Sequence, residues 1–289
     1  MARPLVSVVV VSFNQARFLE EALRSVLEQE YEPVEVLVVD GASTDGSREL
    51  VERYADRLAW WVSEPDRGQA DALNKGLTRA RGDVFGWLSS DDALLPGAIA
   101  RVVEAFERDP AALLVYGEAL FVDEEGREIF PLEPRPFDVE AMVRACANHV
   151  VQPGSLFRRR AWEAAGPLNA DGHYLFDFEF ALRVARAGKV ARIEDRLALY
   201  RVHPESKSGG GSLLKARDYV RFADEFLAGS GLPGADEGRA SAYLAAGDYF
   251  YDAGELAEAR RYLARSLRAK PTRRGAALLA RSVARSVVR

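Results

Sequence analysis

The sequence predicts an α/β protein: a mixed, mainly parallel sheet flanked by helices, with a smaller all-α appendage at its C-terminal end. Three observations predict it. Short β-branched apolar runs alternate four times with helix-like patterns over roughly the first ninety residues, the rhythm of right-handed βαβ units. Polar residues gather where each of those runs stops. Beyond residue 212 the strand-like runs cease and helical spacing takes over. The expected division is therefore a region 1–211 followed by a helical region 212–289.

Val6 to Val11 is short and β-branched, a buried first strand. Asn14 is placed to cap the helix after it. In that helix Phe18, Leu19, Ala22, Leu23, Val26 and Leu27 recur at helical spacing. Pro33 breaks the chain before a second strand, Val34 to Asp40, and Gly41 to Ser47 turns into another helix. Leu58 to Ser63 makes a third strand, Gly68 to Ala80 a helix, and Val84 to Ser90 a fourth strand. The polar sets at the strand ends are Ser12-Phe13-Asn14, Asp40-Gly41, Glu64-Pro65-Asp66-Arg67 and Ser89 to Asp92. In a parallel sheet all four fall on one edge, where open α/β sheets bind nucleotides.

Leu113 to Val122 is strand-like, and Asp123 to Arg127 is a polar turn that returns through Glu128-Ile129-Phe130 as a hairpin. Asp138 to Ala147 and Asp177 to Ala187 read as helices, the second stopped by Gly188. Val190 to His203 alternates as a strand and leads into Pro204 to Gly211, whose three glycines suit either a mobile flap or a plain linker. Leu213 to Ala228 is helical. From Arg239 a helical hairpin follows, with Tyr243, Ala246, Gly247 and Phe250 on one helix and Ala259, Leu263 and Ser266 on the next. About residues 240–271 resemble a single tetratricopeptide repeat. One repeat cannot bury its own face. It needs the first region, residues 272–289 or another chain, so a homodimer or a protein partner at these helices stays open.

Net charge is -5, which speaks against a general nucleic-acid-binding surface. No run of about 18 apolar residues occurs, so no membrane-spanning helix is expected. The apolar stretch after Pro4 is too short for a signal peptide. Cys146 is the only cysteine, so a reducing, cytoplasmic setting is expected, with peripheral contact at the inner face of the membrane left open. Its neighbours read as a helix interior, not as the setting of a nucleophile.

The chemistry centres on Phe85-Gly86-Trp87-Leu88-Ser89-Ser90-Asp91-Asp92, a core strand that ends in two adjacent carboxylates. Asp91 and Asp92 suit a hard divalent cation, Mg²⁺ or Mn²⁺, held by one or two acids plus substrate phosphates. The alternative is a pair capping the helix that follows Leu94-Leu95-Pro96-Gly97. Neither G-x-G-x-x-G after the first strand nor G-x-x-x-x-G-K-[ST] occurs. That argues against a dinucleotide dehydrogenase and a P-loop enzyme. A nucleotide bound here would have its phosphates held through a metal.

Four motifs now stand in order: Val6 to Asn14, Val38 to Ser47, Ser63 to Gln69 with Asn74-Lys75-Gly76, and Trp87 to Asp92. Together, over roughly residues 4–208, they resemble the family 2 glycosyltransferases, which have the GT-A fold. The likeness is to non-processive bacterial members, since the Q-x-x-R-W signature of processive synthases is absent. The resemblance implies a nucleotide-sugar donor, UDP-linked, a divalent cation, and a saccharide or lipid-linked acceptor in polysaccharide, glycolipid or glycoconjugate synthesis. It implies that Ser12 and Asn14 contact the nucleotide and that Asp40 accepts a hydrogen bond from the uracil N–H. Asp66 and Arg67 would frame the base and diphosphate, with Lys75 near them. Asp92 would hold the metal and Asp91 the ribose or the metal; serine replaces the first acid of the family's D-x-D.

Leu175 to Arg183 resembles the family's E-D-x-D-L-x-x-R segment and implies Asp177 as the general base. Phe176 stands where the family has an acid, which leaves Glu179 open as the base. Two residues apart on one helix, the two acids point different ways. Tyr200 to Ser208 resembles the family's last active-site loop, with His203 on the metal or diphosphate and Lys207 neutralising it. Gln152-Pro153-Gly154-Ser155 resembles an acceptor-side segment. The implied reaction is an inverting sugar transfer. Two other readings share the carboxylates. Against a sugar nucleotidyltransferase stands the lack of a basic Gly-rich loop after the first strand. Against a non-catalytic nucleotide-sugar-binding scaffold stand the retained Asp91, Asp92 and Asp177.

Overall fold

The computed structural model describes residues 3–131, 135–207 and 213–287. In chain order the elements are β1 (Val6–Ser12), α1 (Ala16–Leu27), β2 (Val34–Asp40), α2 (Ser47–Tyr54), β3 (Trp60–Ser63), α3 (Gln69–Arg79) and β4 (Val84–Ser89). Then come β5 (Ala93–Leu94), α4 (Ala98–Arg108), β6 (Ala112–Val122), β7 (Glu128–Pro131), α5 (Val139–Ala145), β8 (Leu156–Arg158), α6 (Arg159–Ala165), α7 (Phe176–Ala187) and β9 (Lys189–Arg201). The last helices are α8 (Leu213–Arg221), α9 (Ala235–Asp252), α10 (Leu256–Ala269) and α11 (Arg273–Val287). They form two compact units. One comprises Met1–Phe137, Val150–Asp171 and Phe180–Gly209, the other Asp138–His149, Gly172–Glu179 and Gly210–Arg289. The second thus takes two segments from mid-chain besides the helical tail.

The first unit carries the sheet. Among the described residues nine strands run in the order β3-β2-β1-β4-β8-β6-β9-β5, with β7 on β6. β1 to β4 are mutually parallel, β6 and β9 are parallel, and β8 runs antiparallel between β4 and β6. Register puts Ser12 opposite Asp40, Asp40 opposite Ser63, and Val11 opposite Ser89. The four polar strand ends therefore line one edge, as expected. All of β1 is buried, which fits a strand covered on both faces. Val6, Val8 and Val10 pack with Leu19, Leu23 and Val26 of α1. Val9 meets α3 at Gly76, where a Cβ would lie only 2.4 Å from Val9 Cγ1.

Several local expectations change. Asn14 does not cap α1. It takes a left-handed φ of 53°, which a short polar side chain tolerates, and its Oδ1 accepts from Thr44 N at 2.9 Å. The cap comes from Asp45, whose Oδ2 accepts from Ala16 N at 2.8 Å. Asp91 and Asp92 cap no helix, because β5 intervenes and α4 starts behind Gly97. β3 is short because Ala55–Arg57 first makes a 3₁₀ turn. Cys146 ends α5 in a left-handed conformation and is not a helix-interior residue.

In the second unit, α8 passes into a π-helical turn at Phe222–Leu227. α9 begins at Ala235, earlier than its apolar spacing suggested. It packs on α10, α8 and α5, and α10 packs on α11, so the hairpin finds cover inside its own unit. Ser208 to Gly211 of the expected flap lie outside the described residues. Among the described residues no helix is long and apolar enough to cross a membrane.

The contact at Gly76 is open to a simple test. A methyl there overpacks the α3–β1 interface, which typically costs about 1–3 kcal/mol. Gly76→Ala should lower the melting temperature by about 2–4 °C per kcal/mol lost, and an unchanged calorimetric midpoint would contradict the packing described.

Candidate active site

The edge formed by β1 to β4 is built from loops that bond to one another. Asp40 is fully buried. Its Oδ2 accepts from Ser43 N at 3.0 Å and from Ser63 Oγ at 2.6 Å, and its Oδ1 accepts from Ser43 Oγ. The carboxylate closes the turn after β2 and ties it to β3. Three of its acceptor positions are thus taken by the chain's own donors, with Oδ1 accepting a single bond. Asn14 is exposed; its backbone N–H donates to Ser43 Oγ at 2.8 Å, and its Oδ1 accepts from Thr44 N. Both residues organise the edge.

What the edge presents is Asp66 and Phe13. Asp66 is half-buried; its Oδ1 accepts from Gly68 N at 2.7 Å. A Cβ added to Gly41 would lie 2.8 Å from Asp66 Oδ2 and 3.1 Å from the Phe13 ring. Gly41 thus lets an acid and an aromatic ring share one spot. Phe13 is 64% exposed, and sequence reasoning passed over it. The signal was an aromatic residue between two polar ones where a buried strand stops. Ser12 Oγ is buried and, among the described residues, without a hydrogen-bond partner, an orphaned group that a ligand could satisfy. Arg67 is exposed and pairs with Asp71 at 3.3 Å. Lys75 Nζ bonds Glu64 at 2.8 Å and Pro65 O at 3.0 Å. It lines, with Trp60, Val62 and Asp71, a cleft of about 550 Å³.

After β4, three further loops converge. Asp91 Oδ2 lies 3.2 Å from His203 Nε2 and accepts weakly from Gln15 Nε2 at 3.4 Å. Gln15 also receives Ser90 Oγ at 2.6 Å. Gln69 Nε2 donates to Ser89 Oγ at 2.8 Å, and Lys207 Nζ donates to Gln69 Oε1 at 2.9 Å. These two glutamines, missed in the sequence, bridge the ends of β1, β3, β4 and β9. Asp92 turns inward: it is 5% exposed, and its Oδ1 accepts from Arg201 N at 3.0 Å. The Arg201 guanidinium, also buried, donates to Asp91 O, Asp123 O, Glu124 O and Glu21. Gln152 donates to Trp87 O at 2.9 Å, so the expected acceptor-side segment braces β4.

Asp91 and His203 fit a divalent cation as a pair. Among the described residues no group of three or more His, Cys, Asp or Glu side chains could enclose a metal. A Mg²⁺-type ion, however, needs only one or two protein acids when substrate phosphates complete its shell. Burial, together with the Asp91 charge, pushes the Asp92 carboxyl well above the usual range, although Arg201 pulls it down. Added positive charge at this loop would relieve that strain.

In the second unit the two acids of α7 have separate employment. Asp177 is half-buried, and its Oδ2 accepts from Asn148 Nδ2 at 3.1 Å. Glu179 is 2% exposed and bonds Arg221. Glu179 is thus one half of an ion pair with Arg221. Burial pushes the Cys146 thiol up, the opposite of what a nucleophile requires.

The model of the glycosyl transferase family 2 matches residues 7–164, more than half of the chain. The chain belongs to that family. This family 2 glycosyltransferase is 27% identical over 218 residues to an uncharacterized glycosyltransferase of Nostoc sp., a match covering 68% of this chain and 65% of that one. It is 27% identical over 237 residues to the chondroitin synthase of Escherichia coli, covering 79% of this chain and 33% of that one. The chain thus spans less than two thirds of either relative. Staphylococcus aureus TarS 1-349 superposes with a TM-score of 0.67 at 17% identity, over 95% of this chain and 83% of that one. The mannosyltransferase PcManGT of Pyrobaculum calidifontis, solved with GDP-Man and Mn²⁺, gives 0.62 at 25% identity, over 99% and 81%. The fold of this glycosyltransferase is GT-A. Asp177, Glu179, His203 and Lys207 lie beyond the family match.

The raised pKa of Asp92 carries a sign. Its contribution to stability is present below the unfolded-state pKa and lost as pH rises through the higher folded-state value. Asp92→Asn keeps an acceptor for Arg201 N without the charge. In metal-free buffer it should melt at or above the wild type at pH 8, with the gap closing at acid pH. A lower midpoint at pH 8 would contradict the assignment.

Proposed function

We propose that this chain transfers a sugar, with inversion, from a UDP-linked donor to a hydroxyl of a saccharide or lipid-linked acceptor, using a divalent cation and Asp177 as general base. The product would enter a polysaccharide, glycolipid or glycoconjugate. The observation that carries this reading is the convergence of four loops on one carboxylate–imidazole pair, Asp91 and His203, at the carboxyl edge of a parallel sheet. PcManGT, similar over nearly the whole chain, was solved with GDP-Man and Mn²⁺, and TarS with UDP-GlcNAc. Those ligands support a nucleotide-sugar donor here.

The residues divide the work. Phe13 offers an aromatic face for the base, and Asp66 a carboxylate beside it for a base N–H. Ser12 Oγ supplies a hydroxyl to the donor. Arg67 and Lys207 bring positive charge to the diphosphate. Asp91 and His203 would hold the cation, with Asp92 fixing the loop from behind through Arg201 N. When bound, the cation would neutralise charge developing on the departing diphosphate. Asp177 takes the proton from the acceptor hydroxyl as it attacks the anomeric carbon. An in-line attack of this kind needs no covalent enzyme intermediate, which agrees with the unactivated Cys146.

A thermal-shift screen of UDP-N-acetylglucosamine and GDP-mannose, each with and without Mn²⁺, tests the donor reading. A ligand at about 100 times its Kd should stabilise the fold by about 2.7 kcal/mol; no shift with any nucleotide sugar would sink it. Phe13→Ala should weaken donor binding by the worth of one stacked base, about 1–3 kcal/mol, measured by calorimetric titration. Asp177→Asn should bind donor normally and lose about 10²-fold or more in transfer rate. Wild-type turnover by that variant would refute the base assignment.

A further inference from the structure

The first turn of α7, which bears Asp177, is held by three charges of the second unit, Asp218 and Glu179 buried and Arg221 partly so. Asp218 on α8 has a side chain only 1% exposed. Its Oδ2 accepts from Tyr174 N at 2.7 Å and from Leu175 N at 2.8 Å, the amides just ahead of the helix. Such amides lack partners inside a helix, and a carboxylate there also answers the helix dipole. Asp218 Oδ1 accepts from Arg221 Nε at 2.9 Å. Arg221 Nη2 donates in turn to Glu179, two residues beyond Asp177. The turn is therefore gripped on both sides of Asp177, at 174–175 and at 179.

We propose that Asp218 and Arg221, acting with Glu179, are positioning residues that hold the Asp177 carboxylate in one orientation for proton transfer. This rests on the reading of Asp177 as the base. Stability alone does not account for the cluster. A helix start is served by a neutral Ser, Thr or Asn acceptor, and buried ion pairs rarely stabilise more than well-packed apolar residues. What three charges add is directional rigidity. A base misplaced by about 1 Å can lose about 10²-fold in rate.

The test uses the full chain with Mn²⁺ and whichever of UDP-N-acetylglucosamine and GDP-mannose shifts its melting point, reading nucleoside diphosphate release and hydrogen exchange. Asp218→Asn keeps the shape but sets an amide against Arg221. It should lower kcat by about tenfold or more, leave the donor KM within about twofold, and speed exchange at residues 174–180 without a comparable rise elsewhere. Glu179→Gln keeps a bond to Arg221 and should stay within about threefold of wild type, whereas Glu179→Leu should lose about tenfold. Wild-type kcat in Asp218→Asn, or equal kcat in the two Glu179 variants, overturns the proposal. An inactive Glu179→Gln beside an active Asp177→Asn overturns the base assignment instead. If Asp218→Asn fails to fold, the Glu179 pair decides the matter.

Discussion

The buried guanidinium of Arg201 is the tie on which the active-site edge depends. It is 3% exposed at the end of β9. Its Nε holds the carbonyl of Asp91 at 3.0 Å, its Nη1 the carbonyls of Asp123 and Glu124, and its Nη2 Glu21 of α1 at 2.7 Å. Its own backbone N–H holds Asp92. A buried charge is tolerated only when its donors are satisfied, and the planar fork of arginine reaches several acceptors at once, as lysine cannot. One residue thereby fixes the backbone of the carboxylate loop, the tip of the β6–β7 hairpin and the first helix. The two ends of this tie are about 110 residues apart in sequence, so the site is complete only after β9 has joined β6.

A second set of bonds prepares the opposite side of the edge. Asp45 caps α1 from the loop after β2, Asn14 stitches the β1 loop to Ser43 and Thr44, and Asp40 draws Ser43 and Ser63 together. Burial would raise the Asp45 carboxyl, but hydrogen bonds from Ser47 and Ala16 outweigh it and hold the group below the usual range. These loops are tied to one another by the chain's own groups. Binding then costs less conformational entropy, which is the general advantage of a preformed site.

Much of this was legible in the sequence because it depends on local pattern. The alternating runs gave β1 to β4 and their helices, and a parallel sheet made the alignment of Ser12, Asp40 and Ser63 unavoidable. The hairpin after Val122 and the stop at Gly188 followed from turn chemistry. What could not be read was the employment of individual polar side chains. Asp40 and Asp66 both look like strand-end acids; only the structure shows the first buried among three donors and the second half-buried at its loop. The cap of α1 was misplaced because the capping acid, Asp45, lies 29 residues away from the amide it serves. Gln15 and Gln69 carry no charge, and although Gln69 closes the Ser63 to Gln69 motif neither was singled out, yet they bridge four loops. Nor could the pairing of Glu179 with Arg221, from a helix far along the chain, be read.

The exposed ring of Phe13 has a consequence for the choice of nucleotide. Flat aromatic contact is blind to identity, since uracil, guanine and thymine all offer a π-face. If the proposed stacking on Phe13 holds, discrimination would fall to polar groups at the rim of the heterocycle, and Asp66 lies beside the ring. Selectivity among nucleobases would then sit in a surface loop, within reach of single substitutions, while the core that supports transfer stays untouched.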